Sequence, residues 1–115
     1  MQEEMTVLIL GTEYKVQYHT SKEDDLIKEC DGYCDKTSHT IVVSKKPSTC
    51  DLDDYSVYQK KVLRHEIIHA FLFESGFQAE VNWLAKDQEH PEMMVDWFAI
   101  QVPKMMKAFE EADAL

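Results

Sequence analysis

Two histidines one helical turn apart, with a glutamate beside the first, are suited to one kind of chemistry. The segment is His65-Glu66-Ile67-Ile68-His69. On an α-helix, residues four apart share a face, with roughly 6 Å between their side-chain bases. Imidazoles so placed can both bind one Zn²⁺ at about 2.0–2.1 Å. Glu66 projects about 100° around the helix from His65. That offset sets its carboxylate beside the metal's open position, where it can take a proton from a metal-bound water. The surrounding residues are apolar almost all round: Val62, Leu63, Ile67, Ile68, Ala70, Phe71, Leu72 and Phe73. Such a helix is expected to be the buried centre of its domain. Two histidines and a glutamate buried there require a partner, and a metal ion is the simplest one.

A catalytic zinc takes three protein ligands and keeps a fourth position open. The donors downstream of the motif are Glu74, Glu80, Asp87, Glu89, His90, Glu92 and Asp96. Glu74 sits on the same helix but off the face. Glu92 follows Pro91 in the first turn of the next expected helix, where the helix dipole favours a carboxylate. Asp96 lies one turn further along the same face. There it can accept a hydrogen bond from the distal N–H of a ligating histidine. Glu92 is the best-placed third ligand, with His90 and Asp96 as alternatives.

This pattern resembles that of the gluzincin metallopeptidases, in which H-E-x-x-H is followed by E-x-x-x-D. The matching residues are His65 to His69 and then Glu92-Met93-Met94-Val95-Asp96, with 22 residues between His69 and Glu92. The resemblance implies that His65, His69 and Glu92 bind zinc, that Glu66 is the general base and that Asp96 orients a ligand. The chain looks most like minimal gluzincins and the small ImmA/IrrE-type domains of phages and mobile elements. Asp96-Trp97-Phe98-Ala99 followed by Pro103 is reminiscent of the last helix of those domains, which carry Gly where this chain has Ile68. Repressor cleavage, the activity of that group, is the function the resemblance implies. Gluzincins also pair the substrate backbone with a strand just before the active helix, and Thr40 to Ser44 is the candidate here. An oxyanion-stabilising group is expected among Tyr33, Tyr55, Tyr58 and His90.

These side chains need a scaffold. Residues 5–10 read as a short buried strand, Gly11-Thr12 as a turn, and Tyr14 to His19 as an alternating, half-buried strand, together a hairpin. Ser21 is placed to cap a short helix through Leu26 and Ile27, with Asp24 three residues on. Tyr33-Cys34 and Ile41-Val42-Val43 read as strands joined by the polar turn Asp35 to Ser38, and Lys46-Pro47-Ser48-Thr49 ends this β half. Asp53 or Asp54 caps a helix running to about Glu74 and stopping near Ser75-Gly76. Residues 77–89 read as a connector, with a short helical piece near Trp83-Leu84. Pro91 opens a last helix to about Ala112, which Pro103 is expected to kink or split. Trp83 and Trp97 read as core anchors. Met93-Met94 and Met105-Met106 read as core or as a partner face.

The chain has 115 residues, 44% of them apolar, enough for one core in a single domain spanning residues 1–115. With 12 Lys+Arg against 22 Asp+Glu the net charge is −10, which disfavours nucleic acid and anionic membrane surfaces and favours a basic protein target. No apolar run approaches the roughly 18–20 residues of a membrane span. Three cysteines (Cys30, Cys34, Cys50) behind an acidic N-terminus suggest free thiols and a cytoplasmic protein. The spacing of Cys30 and Cys34 is loosely metal-like, but no second pair accompanies it.

Together these features predict an α+β fold: a small, mostly antiparallel sheet packed against a central helix bearing the histidines and a C-terminal helix bearing the third ligand. The expected function is zinc-dependent hydrolysis of a peptide bond in a protein or peptide substrate. The rival is a non-catalytic zinc-containing module that sequesters a protein. With ligands at 65, 69 and 92, little chain is left for a second lobe. The cleft is then expected to be shallow, with specificity from an edge strand and surface contacts.

Overall fold

The computed structural model describes residues 4–46, 50–77 and 89–115, apart from the side chains of residues 89–91. Alternation builds the first hairpin. In β1 (Met5–Ile9) and β2 (Thr12–His19), Ile9, Tyr14 and Val16 face one core, with Val7 packed against it. The strands pair antiparallel, with Ile9 opposite Thr12. Their turn is Leu10-Gly11, one residue earlier than the expected Gly11-Thr12, and both residues have positive φ (50° and 89°). A two-residue loop of that hand matches the twist of the flanking strands.

A one-turn 3-10 helix follows at Asp25–Lys28. Its cap is Asp24, whose carboxylate accepts from the Leu26 N–H, and not Ser21 as the sequence suggested. Thr20 and Glu23 close a turn of their own around Ser21, which delays the helix by three residues.

The remaining strands are β3 (Gly32–Asp35) and β4 (Thr40–Ser44). The sheet order is β1-β2-β4-β3. β4 runs parallel to β2 and antiparallel to β3, so the four-stranded sheet is mixed. This corrects the placing of Thr40 to Ser44 as an exposed, substrate-pairing strand. Both edges of β4 are taken, and Ile41, Val42 and Val43 are each no more than 1% exposed. Three consecutive β-branched apolar residues need cover on both faces, which suits an interior position. Among the described residues, the open edges belong to β1 and β3.

The long helix α1 (Tyr55–Glu74) is capped by Asp54, which accepts from the Ser56 N–H, and stops where Gly76 adopts φ +81°. Its buried residues, Gln59, Val62, Glu66 and Ala70, form one stripe at helical spacing. Val57 and Phe71 are exposed, so α1 is buried along a stripe and not all round. Val62 and Ala70 pack on Ile9, Tyr14, Val16, Cys34, Ile41 and Val43 of the sheet. α1 also approaches the sheet tightly at Gly32: a Cβ there would stand 2.8 Å from Val62 Cγ1 and 3.0 Å from the Val42 carbonyl oxygen.

The last helix, α2 (Glu89–Glu111), begins two residues before Pro91 and runs through Pro103 unbroken. Proline removes the N–H that would bond the carbonyl four residues back, that of Ala99. Here Arg64 of α1 donates its Nε–H to that carbonyl at 2.6 Å. Val95 and Ala99 are fully buried. Trp97, expected in the core, is 53% exposed and meets Phe98 edge to face, because it lies on the side of α2 away from Val95 and Ala99. Met93 and Met106 are also exposed. The expected connector with Trp83-Leu84, and Pro47-Ser48-Thr49, lie outside the described residues. No described helix is long and apolar enough to cross a membrane.

Candidate metal centre

Helix α1 sets His65 and His69 on one face, with ring centroids 4.9 Å apart. Helix α2 brings Glu92 across to both. Glu92 Oε2 lies 3.2 Å from His65 Nε2, and Oε1 contacts His69 Nε2. One donor atom from each of the three residues lies within 4.8 Å of the other two. In a tetrahedral site with bonds of 2.0–2.1 Å, ligand atoms stand about 3.3 Å apart. The two imidazoles and the carboxylate therefore form a set that could hold a metal ion after small side-chain shifts.

Each group is tuned by its neighbours. Hydrogen bonds from His65 and His69 hold the Glu92 carboxyl well below the usual carboxylate range, against the effect of burial. Burial disfavours a charged His65, but the hydrogen bond to Glu92 and the charges of Glu66 and Glu92 outweigh it and raise its pKa. The other nitrogen of His65, Nδ1, lies 3.2 Å from Asp96 Oδ1. The same Asp96 oxygen accepts from Lys61 Nζ at 2.8 Å, and this bond leads the causes that depress the Asp96 pKa. His65 is thus held at both ring nitrogens.

Glu66 is 7% exposed, and burial pushes its carboxyl up to about 7 despite the pull of His65 and His69. It lines a pocket of about 340 Å³ together with His69 and Glu92. The facing wall is the open edge strand β3, through Gly32, Tyr33 and Cys34, continued by Lys36 and flanked by Leu26 and Cys30. A carboxyl titrating near neutrality beside two imidazoles is suited to receiving and returning a proton.

His65, Glu66, His69, Glu92 and Asp96 therefore come together. Glu74 does not join them: it accepts from the hydroxyls of Tyr14 and Thr12, beside the sheet. The side chain of His90, and Glu80 and Asp87, lie outside the described residues. The three tyrosines considered for oxyanion binding are engaged elsewhere. Tyr33 donates to Asp24, Tyr55 to the Ser44 carbonyl and Tyr58 to Asp31. Of these, Tyr33 alone lines the pocket. Cys30 and Cys34 also line it, as free thiols with pKa values raised by burial, that of Cys34 to about 12. Among the described residues, no cluster of three metal-binding groups includes either thiol.

Three residues of the site were not singled out in the sequence. Lys61 precedes His65 by one helical turn, and that spacing is a usable signal. Arg64 carries no local signal for its bond to the Ala99 carbonyl, which comes from α2 packing beside α1. Lys36 continues the alternation of Gly32 and Cys34 past the end of β3, but its burial is tertiary and leaves no local trace. Comparison of the chain with protein-family models, curated proteins and solved structures finds no match.

Proposed function

We propose that this chain is a zinc-dependent peptidase acting on an extended segment of a protein substrate, with His65, His69 and Glu92 as the metal ligands. The observation that carries the reading is the convergence of these three donors from two helices beside a buried Glu66 in an open pocket. A structural zinc site is usually a closed shell rich in cysteine, whereas this one has three donors and faces a cavity. When bound, zinc supplies Lewis-acid polarisation of the scissile carbonyl and lowers the pKa of the attacking water. Glu66 takes the proton from that water and delivers it to the leaving amine. Asp96 fixes the ring of His65 through Nδ1. β3, with its open edge on the pocket, takes the substrate backbone by strand addition in place of the interior β4.

The test is Glu66→Gln beside His65→Ala, with zinc content and hydrolysis of unfolded protein substrates measured for each. Glu66→Gln should keep zinc and lose hydrolysis, and His65→Ala should lose both. A Glu66→Gln variant that cuts as fast as wild type removes the mechanism. A wild type that binds no zinc removes the centre itself.

A further inference from the structure

We infer that the groove between the N-terminal half of α1 and Ile100 of α2 docks an amphipathic helix of a protein partner, one that carries an acidic and a basic residue about three turns apart. This groove shares no lining residue with the pocket of Glu66, and the inference does not rest on the peptidase reading. The groove has a volume of about 420 Å³. Its middle is apolar: Leu52, Val57 and Ile100 line it and are 46%, 64% and 42% exposed. The exposed Trp97, one turn before Ile100 on the same side of α2, extends this apolar surface. Single exposed apolar side chains are ordinary on a protein surface, but a contiguous set in a groove marks a contact site.

The charges at the two ends of the groove select the partner. Asp53 and Asp54 stand where α1 begins, and Lys61 and Arg64 at the other end. From Asp54 to Arg64 is ten residues, about 15 Å along the helix axis. The inner charges are satisfied within the chain: Asp54 accepts from Ser56, and Lys61 pairs with Asp96. The outer ones are not. Among the described residues the Asp53 side chain makes no hydrogen bond or ion pair, and the Arg64 side chain uses only its Nε–H, on the Ala99 carbonyl. The two NH₂ groups of Arg64 remain, a fork that fits a carboxylate. A helix is favoured with acidic residues in its first turn and basic ones in its last. Such a helix lies antiparallel to α1, with its carboxylate at Arg64, its cation at Asp53 and its apolar stripe over Val57 and Ile100. Opposite charges then meet at both ends, which fixes its register.

Binding to the full chain, read by fluorescence anisotropy, tests this with three designed helical peptides, acetylated and amidated, that share one stripe of Leu. The first carries Glu in its first turn and Lys three turns later. The second has Gln in place of that Glu, and the third has Glu in place of that Lys. Wild type should bind the first at least about tenfold more tightly than either of the others. Asp53→Lys reverses the charge at one end, so that variant should prefer the third peptide to the first. Ile100→Glu, at an exposed position, should abolish binding of all three while the protein stays folded. Equal binding of the three by wild type, no binding of any, an unchanged order in Asp53→Lys, or undiminished binding in Ile100→Glu overturns the inference. So does a concentration-dependent self-association that Ile100→Glu removes, which would put a second copy in the groove. Zinc uptake and hydrolysis decide the peptidase reading separately, and the loss of either leaves the groove standing.

Discussion

Arg64 on α1 donates its Nε–H to the carbonyl of Ala99 on α2 at 2.6 Å, tying together the two helices that carry His65, His69 and Glu92. Pro103 leaves that carbonyl without its helical donor. Replacing Arg64 by Met should leave a buried acceptor unpaired, at about 1–3 kcal/mol in urea unfolding. In a Pro103→Ala background, where the backbone again supplies an N–H, the same replacement should cost less. Equal costs in the two backgrounds would move the effect of Arg64 away from the Ala99 carbonyl.

Lys61 holds the Asp96 oxygen that also meets His65 Nδ1. Lys61→Met should weaken zinc binding about tenfold by letting Asp96 and the ring of His65 drift. Stability should change by less than about 1 kcal/mol, because the ion pair is partly exposed. Lys61→Arg should recover much of the affinity. Competition with a zinc-binding dye measures this, and unaltered affinity in Lys61→Met would make the contact incidental.

The close approach of Gly32 to Val62 makes Gly32→Ala an overpacking change. We expect a loss of about 1–3 kcal/mol by denaturant unfolding. The loss should shrink in a Val62→Ala background, which opens space for the new methyl. The same loss with and without the Val62 methyls would place the strain elsewhere.

Glu74 gives a pH dependence with a definite sign. Hydrogen bonds from Tyr14 and Thr12 lower its pKa from the ordinary 4.5. A carboxyl whose folded-state pKa is depressed adds stability above the unfolded value and loses it as pH falls toward the folded value. Wild type should therefore exceed Glu74→Gln in stability at neutral pH. The gap should close as pH drops below 4.5, followed by thermal unfolding across the acid range. A gap independent of pH would mean that the carboxylate charge is not what Tyr14 stabilises.

Local rules made much of the site legible. The caps at Asp54 and Gly76 bound α1, and helical spacing alone sets His65, Glu66 and His69 on it. What they miss is set by packing. The run Ile41-Val42-Val43 reads as a strand whether it lies at the edge or inside. Only the parallel pairing with β2 places it inside and hands the open edge to β3. Trp97 shares its helix with Val95 and Ala99, and the sequence does not say which side of α2 meets α1. Lys36 is polar in a polar turn, and its burial, with its ammonium over the ring of Phe73 on α1, is a tertiary feature.

The open edge of β1 has a colloidal consequence. Met5 is 47% exposed and Leu8 67%, along a strand whose outer edge pairs with no other strand among the described residues. Such an edge is a template on which another copy can add. At neutral pH a net charge of −10 keeps copies apart. That repulsion vanishes near pH 4.8, above the range in which the depressed carboxylates that tie the fold together, such as Glu74, protonate. Acidification should then precipitate the protein through edge-to-edge pairing before it unfolds the core. Storage and crystallisation therefore belong well on the alkaline side of that point.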